Sequence, residues 1–113
     1  VGFLYCVGTR AEAGGSALVL DEIATFGRKG RIFTVHFRNV RGSLATAGGF
    51  EEVLLDDGDM NMATVLRALQ RVGFDGCVNP DHVPALEGDH GDISLGLAYS
   101  VGYIKALLAA LSE

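Results

Sequence analysis

The sequence predicts an α/β protein built from parallel β/α units. Its 113 residues are 49% hydrophobic, enough for one packed domain of modest size. Short apolar runs that suit buried strands alternate with longer segments whose apolar residues recur at helical spacing. Strand, helix, strand, helix, strand, helix is the order that parallel β/α units produce. This order leaves open whether the units form an open doubly wound sheet or part of a closed barrel.

The first unit begins with a short apolar, aromatic-containing run. Residues 1–7 predict a buried strand, and Gly8-Thr9 predicts a polar turn after it. Ser16 is placed to cap a helix over residues 17–26, because its hydroxyl can accept a hydrogen bond from the first helical turn. The apolar residues of this helix that we expect to face the core are Leu18, Ile23 and Phe26.

The second unit begins with residues 31–40, which are rich in β-branched and aromatic side chains and predict a strand. A small-residue loop at 42–49 and a short extended piece at 50–55 follow. A helix is expected over residues 62–72, since apolar residues recur there at helical spacing and a glycine, Gly73 or Gly76, stands near its end. The apolar residues of this helix expected in the core are Val65, Leu66 and Leu69.

The third unit has a strand from residue 76 to about 81, an irregular acidic loop at 84–92 and a long helix over 94–111. No GxGxxG follows the first strand and no GxxxxGK[ST] loop occurs, so neither nucleotide-binding fold is indicated. The net charge of -5 argues against a nucleic-acid surface, which needs clustered cations. We also expect no membrane segment, since no apolar stretch approaches ~20 residues, and the two cysteines favour a reduced, cytoplasmic setting.

Three residues that can bind a metal stand where the three predicted strands end. They are Cys6, His36 and Asp81. The carboxyl ends of parallel strands meet at one rim of the sheet, so a thiol, an imidazole and a carboxylate are expected to converge, and these are ligand types for a first-row transition metal. Each residue also has an ordinary interpretation, as a buried thiol, a hydrogen-bonded core histidine or a turn residue. One shared cation would supply a partner for all three.

Other polar residues near this rim have open interpretations. Arg38 and Asn39 could bind the carboxylate and hydroxyls of a substrate, or form hydrogen bonds at the end of a strand. His82 is a candidate general acid or base, because an imidazole titrates near neutrality. The acidic run at 56–59 lacks the spacing of an EF-hand and is interpreted as a solvated turn and helix N-cap. Cys77 is interpreted as a small buried apolar side chain.

The chain resembles the mannonate dehydratase family of the xylose-isomerase-like barrels. The stretches that carry the resemblance, in order, are Cys6-Val7-Gly8-Thr9, residues 31–42 around His36, Asp57-Gly58-Asp59-Met60, Pro80-Asp81-His82 and residues 98–105. The resemblance implies that the chain is the C-terminal part, about three β/α units, of a single (β/α)₈ barrel domain. It further implies dehydration of D-mannonate to 2-keto-3-deoxy-D-gluconate in hexuronate catabolism, with one divalent ion, usually manganese or iron.

The resemblance also assigns roles to residues. Cys6, His36 and Asp81 stand at three of the family's four metal-ligand positions. His82 matches the family's catalytic histidine, and Asp81 is expected to contribute to catalysis by orienting the site as well as by holding the metal. Asn79 and Leu97 stand where many relatives have arginine, and no tyrosine lies between His82 and Tyr99 to match a second general acid.

Two alternatives follow from the same residues. A metal-dependent sugar isomerase or epimerase of the same superfamily would share the rim ligands. A non-catalytic flavodoxin-like binding module would share only the β/α order. We further expect a homo-oligomer to be possible, and we expect the 113 residues to be inactive on their own, because a barrel of this type needs about 250 residues.

Overall fold

A computed structural model describes residues 1–112. Within that range it has strands and helices in alternation, so the predicted α/β class is confirmed. The elements are β1 (Phe3–Cys6), α1 (Val7–Arg28), β2 (Ile32–Phe37), β3 (Asn39–Arg41), α2 (Leu44–Ala47), β4 (Glu51–Val53), α3 (Met62–Arg71), β5 (Cys77–Pro80) and α4 (Ser94–Leu111).

Three parallel strands form the sheet that organises the molecule. Their order is β1-β2-β5, with Cys6 opposite His36 and His36 opposite Asn79. Because all three strands run the same way, their carboxyl ends lie at one edge. The register therefore brings the end of β1, the end of β2 and the residues after β5 to a common rim.

The second strand is shorter than predicted. The single strand expected over 31–40 stops at Phe37, and Asn39–Arg41 leaves the sheet to pair antiparallel with Glu51–Val53. The extended piece predicted near 50–55 is thus one arm of a small hairpin. Arg38 lies at the break between β2 and β3, where the chain leaves the three-stranded sheet.

The first helix departs from the prediction at its start. α1 begins at Val7, directly after β1, so the turn expected at Gly8-Thr9 is wrong. The helix is interrupted at Gly15, where φ is 75° and ψ is -167°, a conformation that glycine adopts without steric penalty because it has no Cβ. The part of α1 after this kink corresponds to the helix predicted over 17–26.

Helix α3 closes the core, as its pattern predicts. The side chain of Asn61 accepts a hydrogen bond from the backbone N–H of Thr64 at 3.2 Å and so caps the helix. Helices α1 and α3 pack together beside the sheet, and the buried apolar residues form one cluster. Its helical members include Val19, Ile23, Val65, Leu66 and Leu69, whereas Phe26 is only partly buried.

Helix α4 has the predicted bounds but buries little of itself. Among its residues only Gly96, Ser100 and Ile104 are buried, while Tyr99 is 43% exposed. By length and composition, Ser94–Leu111 is apolar enough to cross a membrane, so the expectation that no stretch comes close to a span is wrong on that criterion. One such helix is weak evidence for a membrane, since core helices of larger folds meet the same test.

Candidate metal centre

Cys6, His36 and Asp81 meet at the rim of the sheet. One ligand atom from each side chain lies within 4.8 Å of the others. The thiol of Cys6 donates to Oδ2 of Asp81 at 3.6 Å, and Nδ1 of His36 lies 3.9 Å from the same oxygen. All three residues are partly buried. The strand register explains this convergence, because Cys6 and His36 are direct neighbours and Asp81 follows the last residue of β5.

Asp81 has one oxygen without a partner. Its Oδ1 atom is buried and, among residues 1–112, receives no hydrogen bond. A buried carboxylate oxygen that has left water and found no donor is costly. A cation bound between the three side chains would supply the missing partner, and sulfur, nitrogen and oxygen donors suit a first-row divalent metal. The residues present therefore fit such an ion.

Arg38 holds several carboxylates of the site. Its side chain is only 3% exposed, and Nε donates to Oδ2 of Asp81 at 3.3 Å. Nη1 donates to Glu12 at 3.4 Å and to Glu52 at 3.3 Å, and Nη2 donates to Thr9 at 3.3 Å. Every guanidinium nitrogen thus has a protein partner, and Arg38 acts as an internal counter-ion for the rim.

The guanidinium of Arg38 stays protonated despite its burial. Burial works to lower the pKa of Arg38, but hydrogen bonds to Glu12 and Cys6 and the negative charge of Asp81 outweigh it. The pKa of Arg38 consequently lies above its ordinary value. Arg38 therefore remains a cation at any physiological pH.

Gly8 makes room for Arg38. A Cβ built at Gly8 would lie 2.6 Å from Cζ of Arg38 and 2.9 Å from its Cβ. The first turn of α1 can therefore approach the guanidinium only because this position has no side chain. The Gly8-Thr9 pair, expected as a turn, serves instead to seat Arg38, with Thr9 as one of its acceptors.

Asn39 has a structural role. Its side chain is fully buried. Nδ2 donates to the carbonyls of Leu55 and Met60, both at 2.9 Å, and Oδ1 accepts from the N–H groups of Val40 and Met60. All the hydrogen-bonding capacity of the carboxamide is used to fasten the loop that follows β4. This arrangement does not support the substrate-binding role predicted for Asn39.

His82 lies beside the cluster in an unusual backbone conformation. Its φ is 47°, in the left-handed region that residues other than glycine seldom occupy. The imidazole is 61% exposed, and its Nδ1 atom lies 2.7 Å from Oε1 of Glu52. Sequence reasoning missed Glu52, because an acidic pair in a short extended segment does not reveal which member faces the rim.

The remaining predicted groups lie apart from the rim. Cys77 is exposed, so the expectation that it is a buried apolar side chain is wrong. The acidic run forms a turn, as expected, in which Asp57 pairs with Arg41 and Asp56 accepts a 2.6 Å hydrogen bond from the hydroxyl of Tyr99. The N-cap of α3 is Asn61, so the expectation that the acidic run itself caps this helix is wrong.

Comparisons with known proteins agree on one family. The family model described as D-mannonate dehydratase (UxuA) matches residues 1–113. A protein named mannonate dehydratase 2 from Halalkalibacterium halodurans is 31% identical over 96 residues, which is 82% of this chain and 28% of that protein. A mannonate dehydratase from Lactococcus lactis subsp. cremoris is 30% identical over 113 residues, which is 96% of this chain and 31% of that protein.

A solved structure shows the same arrangement of elements. The crystal structure of mannonate dehydratase from Streptococcus suis serotype 2 superimposes with a TM-score of 0.73 at 28% identity. The match covers 99% of this chain and 34% of that one. The chain thus spans about a third of the length of the relatives that it matches.

Proposed function

Because this chain belongs to the D-mannonate dehydratase family, we propose that the full-length protein that carries it converts D-mannonate to 2-keto-3-deoxy-D-gluconate and water. Of all the observations, the convergence of Cys6, His36 and Asp81, with an unpartnered oxygen on Asp81, supports this proposal most directly. The family match favours a dehydratase over the isomerase and the flavodoxin-like module that the sequence alone leaves open. We further propose that the reaction takes place in the cytoplasm, within hexuronate catabolism.

The chain is proposed to supply about three of the eight β/α units of a single barrel domain. The match to a third of a solved dehydratase supports this. So does the sheet, in which β1 and β5 are the outer strands within residues 1–112. Large apolar side chains lie exposed beside it, including Phe3, Leu4 and Phe33 at 46%, 55% and 55%. Neighbouring units of a barrel would cover such surfaces.

The divalent ion is proposed to be Mn²⁺ or Fe²⁺. Cys6, His36 and Asp81 would hold it, with the remaining ligands supplied from outside this chain. When bound, such an ion supplies Lewis-acid stabilisation of the negative charge that develops on a sugar acid as its C2 proton is removed. The ligand types support a first-row transition metal but do not select among its members.

His82 is proposed as the base that removes the C2 proton. Dehydration breaks the C2–H bond, moves that electron pair into a C2–C3 double bond and expels the C3 hydroxyl, which takes up a proton to become water. The enol that remains takes up a proton at C3, loses the proton of its C2 hydroxyl and becomes the 2-keto acid. An imidazole suits the first step, since its pKa lies near the working pH. The position of His82 next to the candidate ligand Asp81 supports this assignment.

Arg38 is proposed to organise the site carboxylates, which replaces the direct substrate contact expected from the sequence. Its nitrogens are occupied by Glu12, Glu52 and Asp81, and its side chain is almost inaccessible. A substrate carboxylate would have to displace one of these partners.

Incubating the full-length protein with D-mannonate and the metal tests the proposal. Formation of a 2-keto-3-deoxy acid is the expected result. An aldose, ketose or epimer formed without loss of water would contradict the proposal and favour the isomerase alternative. We expect His82→Gln to lower kcat by roughly 10²- to 10⁴-fold, the usual contribution of a general base. The matched control is His90→Gln, which changes an exposed imidazole in the loop before α4 and should leave kcat unchanged.

A further inference from the structure

Glu52 is the closest polar neighbour that the structure gives His82. Its Oε1 atom lies 2.7 Å from Nδ1 of the imidazole, a short distance for a hydrogen bond to a carboxylate. Glu52 belongs to β4, and the β3–β4 hairpin places it opposite Val40, beside the end of β2. The hairpin therefore brings a carboxylate to the rim from a part of the chain thirty residues away from His82.

Glu52 is itself held in place. The same Oε1 atom accepts a hydrogen bond from Nη1 of Arg38 at 3.3 Å. Arg38 is buried and tied to Glu12 and Asp81, so it forms a fixed anchor rather than a mobile surface cation. Glu52 consequently links the imidazole to the same guanidinium that holds the candidate metal ligand Asp81.

We propose that Glu52 is a positioning residue that fixes the orientation and tautomer of His82, a role that rests on the function proposed above. An ionised carboxylate only accepts hydrogen bonds, so Nδ1 of a neutral His82 must carry the proton. Nε2 is then left with a free electron pair. When the C2–H bond breaks, its proton forms a bond to Nε2, its electron pair stays with the substrate, and Glu52 stabilises the resulting imidazolium.

The tautomer of His82 can be measured without substrate or turnover. In the metal-free full-length protein at about pH 9, where an ordinary imidazole is neutral, ¹⁵N–¹H spectra distinguish protonated from free ring nitrogens. The signal of His82 is identified by its loss in His82→Gln. We expect Nδ1 to be protonated in the wild type and the proton to shift toward Nε2 in Glu52→Ala, because the oxygen that accepts from Nδ1–H is then removed. A wild-type His82 protonated on Nε2, or a spectrum unchanged by Glu52→Ala, would overturn the proposal.

Kinetics provide the second readout. Glu52→Gln should lower kcat about 10- to 100-fold and change KM by less than about twofold, because the change affects proton transfer rather than substrate binding. Glu51→Gln is the matched control. Glu51 precedes Glu52 in β4 and is 70% exposed, and its one ion pair within residues 1–112 is with Arg41 at 3.6 Å, so this variant should retain the wild-type kcat. A raised KM with unchanged kcat in Glu52→Gln would contradict a positioning role.

The two proposals fail in different ways. If the full-length protein forms no 2-keto-3-deoxy acid while His82 shows the Nδ1–H tautomer, the reaction is wrong and the Glu52–His82 pair stands. If dehydration occurs but Glu52→Ala leaves the tautomer unchanged and Glu52→Gln leaves kcat unchanged, the reaction stands and the positioning role is wrong.

Discussion

Arg38 donates from Nε to Oδ2 of Asp81 at 3.3 Å, and this contact ties the turn after β2 to the turn after β5. Two segments that are 43 residues apart in sequence are joined at the rim by one charge-assisted hydrogen bond. The carboxylate that it holds also lies beside Cys6 and His36. Stability and the geometry of the candidate site therefore depend on the same side chain.

Replacing Arg38 by methionine should lower the free energy of unfolding. The change keeps much of the length of the side chain but leaves Glu12 and Asp81, each about 15% exposed or less, without their cation. Breaking a buried ion pair in this way destabilises a protein by about 3–5 kcal/mol. Chemical denaturation of the full-length protein measures this loss.

Arg41→Met is the matched control for that measurement. Arg41 lies on the same hairpin but is 47% exposed, and its ion pairs with Glu51 and Asp57 are at the surface. Such pairs contribute about 0–1 kcal/mol. Equal losses in the two variants would show that Arg38 is not the anchor described here.

Gly8→Ala should also weaken the fold. The added methyl would lie 2.6 Å from Cζ of Arg38 and would force the guanidinium away from its acceptors. Overpacking of this kind costs about 1–3 kcal/mol. A Cβ at Gly102, which lies on α4, would meet no atom within 4 Å among the residues that the structure describes. Gly102→Ala should instead stabilise the fold by about 0.5–1 kcal/mol, because alanine is the better helix former. Thermal denaturation measures both effects: Gly8→Ala should lower the melting temperature and Gly102→Ala should raise it. A Gly8→Ala variant as stable as the wild type would contradict the close approach of α1 to Arg38.

Asp89 should contribute to pH-dependent order in the loop before α4. Backbone N–H groups of Leu86 and Leu95 donate to its carboxylate at 2.8 Å, and these hydrogen bonds hold the pKa of Asp89 below its ordinary value. A lowered pKa means that the ionised form is favoured by folding. Its stabilising effect is therefore present above an unfolded-chain pKa of about 4 and is lost as the pH falls through the folded-state value. A carboxyl ¹³C titration of Asp89 checks this, and a midpoint at or above the ordinary value would contradict it.

Much of the architecture was predictable, because it depends on local pattern. The spacing of Val65, Leu66 and Leu69 identifies α3, and the bounds of α4 agree with the prediction at 94–111. The proximity of Cys6 and His36 follows from parallel pairing, which places the ends of adjacent strands together. These features can be predicted from the spacing of the hydrophobic residues and the direction of the strands alone.

The features that sequence reasoning missed depend on contacts between distant residues. β2 ends at Phe37 because Arg38 turns toward Glu12, Glu52 and Asp81, and no local pattern reveals that set of partners. Gly8 and Thr9 lie in the first turn of α1 because of the same packing against Arg38, which overrides the turn preference of Gly-Thr. The pairing of Glu52 with His82 is equally non-local.

Metal content tests the central claim most directly. The full-length protein, loaded with Mn²⁺ or Fe²⁺ and then desalted, should retain roughly one ion per chain by elemental analysis, as expected for a single dedicated site. Cys6→Ala, His36→Ala and Asp81→Asn should each lose most of that ion, while the control His90→Ala should retain it. Equal retention in all four variants, or negligible metal in the wild type, would contradict a cation shared by these three side chains.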